Sequence, residues 1–207
     1  MRKLALIMFA CLAPVLGGVA QAQELSIAAS GSTLFSTNSY SSSAAYPQPP
    51  EKGGVYPGVN VEYVFENHFG LNVESSFRYH EALYDGYQKY RPVLTDVNGV
   101  FAPRTGPRTV ADFMAGVGLE NVNFYNQFGS CSGICPNFVS SHHFLFHGGA
   151  GVRYYFWRNF FARPEAHYYY IIGNTDEFHS GSVLRLGASI GYTFGRPRAP
   201  RKQQPNP

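Results

Sequence analysis

The sequence predicts an all-β chain: eight antiparallel strands closed as an up-and-down transmembrane β-barrel. Three observations carry this expectation. Apolar and polar residues alternate with period two along the chain, and no segment after the first 22 residues keeps helical spacing. The joints between the alternating segments are by turns long and short, which in a meander puts every short turn on one rim and every long loop on the other. The ionisable side chains fall on one face of the strands, as a barrel with lumen and exterior requires.

The elements follow in order. Residues 1–22 read as an export signal, with Arg2 and Lys3 ahead of the apolar stretch Leu4 to Leu16 and the small residues of Ala20-Gln21-Ala22 at the cleavage point. Cys11 lies inside that stretch and is expected to leave with it. The chain then holds one domain, 23–195, and a basic, Pro-rich tail, 196–207, expected to extend into the periplasm. Strands are predicted at about 25–36, 55–65, 69–80, 91–102, 109–122, 142–157, 160–172 and 182–194. The clearest has Phe69, Leu71, Val73, Ser75, Phe77 and Tyr79 on one face and Gly70, Asn72, Glu74, Ser76, Arg78 and His80 on the other. Its predecessor places Val59, Val61, Tyr63 and Phe65 opposite Gly58, Asn60, Glu62 and Val64. Only Glu66-Asn67-His68 separates the two, so they form a hairpin. Pro164 falls within the seventh strand, where a missing ladder donor suggests a local bulge.

One face is nearly free of charge, with Ala111, Phe113, Ala115, Val117 and Leu119, then Phe144, Phe146, Ala150, Val152 and Phe156, then Leu184 to Phe194 in alternation. The other gathers Glu62, Glu74, Arg78, Asp96, Asp112, Glu120, Arg153, Arg163, Glu165 and Arg185, with His147 and His167 beside them. Burying isolated ions in an apolar core costs several kcal/mol each, whereas a polar lumen lets guanidinium and carboxylate groups pair. The charged face is therefore expected inside and the apolar face against lipid. A soluble lipid carrier would show the reverse. Aromatic residues gather at strand ends: Phe65, Phe69, Phe101, Phe156, Trp157, Phe160, Tyr192 and Phe194 beside the short turns, and Tyr79 and Tyr168 to Tyr170 toward the other rim. Amphipathic rings favour the membrane boundary.

Composition excludes other classes. Charged residues are 14% of the chain and aromatics 16%, unlike a disordered chain. Residues 23–195 hold ten basic and thirteen acidic residues, a net of −3, so no nucleic-acid-binding surface is expected. Cys131 and Cys135 flank a turn-forming Ser-Gly-Ile in a chain bound for an oxidising compartment, and a loop disulfide is the favoured reading. A zinc site with His142 or His143 lacks the usual four ligands. No metal centre, cofactor or catalytic residue is expected.

The closing segment from Leu184 to Phe194 carries a resemblance. Its alternation through Leu186, Ile190 and Tyr192 to a final Phe194 is similar to the assembly signal of small eight-stranded barrels of the OmpA/OmpX type, which the chain resembles over essentially all of 23–195. That resemblance implies the outer membrane of a diderm bacterium, contact with outer-membrane lipids and lipopolysaccharide, insertion by the barrel-assembly machinery, and a monomer. Gly195 to Pro207 follow the signal, whereas in the family it usually ends the chain, and no peptidoglycan-binding domain is expected. Some relatives modify outer-leaflet lipid with His and Ser near the outer rim. Ser140-Ser141-His142-His143 stand at that height, without the His-x-Ser-Asn signature or a third partner. The expected function is non-enzymatic, structural or surface-interacting, with an Arg/carboxylate network filling the lumen. A narrow gated pore is the alternative, and a lipid-modifying enzyme a lesser one. Loops 37–54 and 123–141 are the expected place for an external ligand.

Overall fold

The computed structural model describes residues 24–36, 50–65, 68–84, 88–125, 138–174, 178 and 180–195. The export signal, the C-terminal tail and the Cys131–Cys135 pair lie outside the described residues.

Alternation gives strands because successive side chains point to opposite faces. The strands are β1 (Glu24–Ser36), β2 (Tyr56–Phe65), β3 (Phe69–Phe77), β4 (Ala82–Tyr84), β5 (Gln88–Phe101), β6 (Thr109–Tyr125), β7 (Phe138–Trp157), β8 (Phe160–Ile171) and β9 (Ser182–Phe194). All pairings are antiparallel and join sequence neighbours, save that β3 and β4 both pair with β5 and that β1 pairs with β9. The three-residue β4 thus continues the row that β3 begins. The ring closes where β1 meets β9, from Leu25↔Phe194 to Ser36↔Val183. Eight rows of strand result, and no row is left with an open edge.

Two joints run longer in strand than the sequence suggests. Residues 82–84 pair with 88–90, and β6 and β7 stay paired up to Tyr125↔Phe138, inside the segments expected to be loops. The bulge falls elsewhere than expected. The β7–β8 register is the same on both sides of Pro164, from Gly151↔Glu165 to Tyr154↔Ala162, and it slips between Tyr155 and Trp157 beside the turn. Pro164 faces outward, so its ring removes a ladder donor without inserting a residue. The Arg158-Asn159 turn puts Arg158 at φ 48°, the left-handed region that a tight hairpin demands. Asn159 Nδ2 clasps the turn to β9, donating to Thr193 O at 2.7 Å and Gly195 O at 2.8 Å.

Outward positions are apolar and exposed along the strands, among them Val61, Val73, Val97, Val117, Phe146, Val152 and Ile190. Near the short turns their rings touch in a row, Trp157 on Phe160, Phe160 on Tyr192 and Tyr192 on Phe194, at 4.9–5.5 Å. Tyr168 and Tyr170 face outward near the other rim, while Tyr169 between them points into the barrel and is fully buried.

Candidate functional site in the barrel lumen

Inward positions build the lumen in layers. At the short-turn end Ala28, Val64, Val100, Val110, Met114 and Phe161 pack together. Beside them the hydroxyls of Ser26, Tyr155 and Thr193 meet at 2.9 and 3.0 Å.

Above lies the first ionic layer. Arg153 binds Asp112 with two parallel donors, Nε to Oδ2 at 3.2 Å and Nη2 to Oδ1 at 2.9 Å, and Nη2 also reaches Glu62 Oε1. Its guanidinium carbon sits 5.0 Å from the centre of the Phe161 ring. Arg163 takes the other Glu62 oxygen at 3.1 Å and donates through Nε to Glu165 Oε2 at 2.8 Å, where Ser189 Oγ donates too at 3.2 Å. Paired and hydrogen-bonded in this way, the ions offset the cost of leaving water.

The next layer is built from amides and imidazoles. Asn98 Nδ2 donates to Asp96 Oδ1 at 2.5 Å and to Asn72 Oδ1 at 3.3 Å, and Asn98 Oδ1 contacts His147 Nδ1 at 2.5 Å. His147 Nε2 meets His167 Nδ1 at 2.9 Å, and Tyr169 stacks on His147 at 4.8 Å. Glycine makes room for this layer. A Cβ on Gly116 would stand 2.1 Å from Val97 O and 2.4 Å from Asn98 Oδ1. Arg185 closes the layer, bound to Glu74 Oε1 and to Ser76 Oγ at 2.8 Å.

A second apolar layer follows, of Leu34, Leu94, Leu145, Ile171 and Val183 with the rings of Tyr56 and Tyr169. Beyond it, at the long-loop mouth, Arg78 faces the Tyr90 ring at 5.9 Å and donates to Lys52 O at 3.4 Å. Glu51 is buried nearby. Burial pushes its carboxyl above the ordinary 4.5, while hydrogen bonding with Glu120 and Asn174 and the charges of Arg78 and His143 oppose the rise. Tyr90, Val122 and Phe178 cap the mouth, backed by Tyr84 and Phe124.

The ten charged residues singled out from sequence therefore occupy two places. Glu62, Glu74, Asp96, Asp112, Arg153, Arg163, Glu165 and Arg185 lie in the central lumen, all at most 5% exposed. Arg78 and Glu120 belong to the mouth, with Glu51, which alternation did not reveal because it precedes β2. The apolar layers were also missed. Val64, Leu94, Leu145 and Val183 share the inward parity of the ions, and that parity is the signal that would have found them. Leu186, Ile190 and Phe194 face outward on β9, as does the half-buried Tyr192.

A closed ring of eight strands, apolar outside and ionic within, is the observation that decides the architecture. The chain has the fold of the small eight-stranded outer-membrane barrels. Solved structures of that class superpose on it at low identity. The N-terminal barrel domain of OprF from Pseudomonas aeruginosa is 18% identical with a TM-score of 0.55, covering 83% of this chain and 97% of that one. Ail, the attachment invasion locus protein of Yersinia pestis, solved with the heparin analogue sucrose octasulfate, is 16% identical with a TM-score of 0.53 over the same shares. Neisserial surface protein A is 12% identical with a TM-score of 0.54, again covering 83% and 97%. No known protein-family profile matches the sequence, and no curated protein matches it.

In this outer-membrane-type barrel the Ser and His residues of the β7 start divide between the faces. Ser140 and His142 point outward and are bound to Asn123 Oδ1 at 2.7 Å and Asn121 Oδ1 at 2.5 Å. Ser141 and His143 point inward, with Oγ 2.9 Å from Nε2. The only Ser–His contact within β7 thus faces the mouth of the lumen, away from the lipid side.

Proposed function

We propose that the chain is a non-enzymatic, monomeric barrel of the bacterial outer membrane, a rigid scaffold that holds surface loops in place. The lumen supports this reading: its buried ionic centre is flanked on either side by a cluster of buried apolar residues. Arg153, Arg163 and Arg185 with their carboxylates act as cross-struts between distant strands. The outward belt meets outer-membrane lipids and lipopolysaccharide, and Leu186, Ile190, Tyr192 and Phe194 form the segment read by the barrel-assembly machinery. The segments 37–54 and 123–141 are the surfaces for an external partner, since loops on a rigid barrel are free to bind. Ail has been solved with a sulfated ligand; for this chain we assign no ligand chemistry. Recording from the purified protein in planar lipid bilayers tests the reading. Small, infrequent openings at most are expected, and a steady large conductance overturns it.

A narrow gated pore is the second reading, favoured by the split carboxylate of Glu62, which already serves two arginines. If exchange of those partners opens a path, Glu62→Gln raises opening frequency in the same recordings; unchanged closure rejects the gate.

A further inference from the structure

The ion pairs at the centre of the lumen leave three polar atoms over. These are Glu74 Oε2, Glu165 Oε1 and His167 Nε2, and the three residues each bring one ligand atom within 4.8 Å of the others. None has a hydrogen-bond partner among the described residues, and all three side chains are buried. The shortest separation involving the imidazole, His167 Nε2 to Glu165 Oε1, is 3.6 Å, beyond hydrogen-bond reach.

A chain of hydrogen bonds fixes what His167 offers at that point. Asp96 only accepts, so the Asn98 amide nitrogen must face it, which leaves Asn98 Oδ1 as the acceptor for His147 Nδ1–H. A neutral His147 then presents a lone pair at Nε2, and His167 Nδ1–H donates to it. His167 Nε2 is left with its lone pair aimed at two carboxylate oxygens. With His167 neutral as well, three electron-rich atoms converge; a doubly protonated His167 would instead pair with Glu165 Oε1 at 3.6 Å. A metal-binding imidazole is usually held in this manner, its second nitrogen anchored by an outer hydrogen bond.

Charge points the same way. The central lumen holds five carboxyl groups, Glu62, Glu74, Asp96, Asp112 and Glu165, against three guanidinium groups, two more acids than arginines. Arg185 and Arg163 grip the far oxygens of Glu74 and Glu165, and so fix the carboxylates while leaving the near oxygens unengaged.

We propose that Glu74, Glu165 and His167 form a site for one divalent transition-metal ion of the Zn²⁺ type, with a solvent oxygen as fourth ligand. One imidazole and two carboxylates suit such an ion, and ligand bonds of about 2.1 Å in a tetrahedron need ligand atoms about 3.4 Å apart. Closing from 4.8 Å asks for side-chain movements of roughly 1 Å. The ion offsets the surplus of acids and ties β3 to β8 across the lumen. Because all three ligands are buried, it is captured as the barrel closes.

The test uses tag-free full-length mature protein refolded into detergent with or without Zn²⁺, then dialysed against metal-free buffer. Folding is checked by the gel shift between unboiled and boiled samples, and metal content is read by mass spectrometry. About one Zn²⁺ per chain is expected after refolding in Zn²⁺, little uptake when Zn²⁺ is added to the folded barrel, and at least tenfold less in His167→Gln and Glu165→Gln. His142→Gln, on the outer face, retains the ion. Refolding with Co²⁺ adds a second readout, visible absorption bands that His167→Gln abolishes. Folded wild-type protein without metal overturns the proposal, as does equal retention by His167→Gln. Nitrogen NMR showing His167 doubly protonated in the Zn²⁺-refolded barrel also overturns it, since a proton then occupies the place assigned to the ion.

Discussion

Glu62 divides its carboxylate between Arg153 and Arg163, two residues 91 and 101 positions further along the chain. Truncating it leaves both guanidinium groups short of a counter-charge in a dry interior. Glu62→Ala is expected to cost about 3–5 kcal/mol, read as a lower urea midpoint for the folded barrel in vesicles. That the central ions share one face was legible from sequence, because desolvation forces the charges at membrane depth to the same parity. Which ion meets which was not, since separations of this size are set by closure of the ring. At the mouth Glu51 makes a pH prediction. Its carboxyl titrates above the ordinary 4.5, so the protonated form is favoured by folding. Stability from this group is complete below 4.5 and is lost as pH rises through its raised value. The Gly53 amide, which donates to Leu34 O at 2.8 Å, should lose hydrogen-exchange protection over that rise once intrinsic exchange is corrected for. Glu51→Gln should remove the dependence.

At the scale of the strands, depth in the membrane decides the cost of a charge. Val73→Arg, in the middle of β3 and facing lipid, is expected to destabilise by about 2–4 kcal/mol, whereas Leu83→Arg on β4 beyond the belt should cost about 0–1. Equal costs in vesicle-folding titrations would mean that the two sites lie at the same depth and that the apolar belt is wrongly placed. The Arg158-Asn159 turn offers a gain. Arg158→Gly removes a left-handed non-glycine residue and should raise stability by about 0.5–1 kcal/mol, after glycine's entropic cost. Alternation revealed the strands wherever one face was apolar. It was blind to β4 and to the paired ends of β6 and β7, where Tyr, Asn and Ser stand on both faces. Those segments stand beyond the apolar belt, and no lipid imposes a pattern on them. Pro164 misled for a related reason: outward-facing on a barrel strand, it gives up a hydrogen bond without altering the register.

At the scale of the molecule, the barrel is a ring whose buried interior is mostly ionic at its centre. Its closed ladder should resist detergent. The mature protein is expected to run differently on a gel before and after boiling, and identical mobility would deny a closed barrel. Long and short joints alternate in sequence, and this fixed the meander and the two rims at once. The apolar clusters within the lumen stayed hidden, because Leu94 or Val183 among charged neighbours reads as noise until the layers are stacked.

The seam between β1 and β9 joins the first and last strands over twelve residue pairs. Those strands are the most widely separated in the chain, so their meeting is the final step of construction and the one with the largest loop to close. Before it, two naked edges face hydrocarbon with the outward half of each edge strand's peptide groups unsatisfied. A half-made sheet thus has no resting place in the bilayer, and completion is an all-or-none event that must be chaperoned or simultaneous with entry.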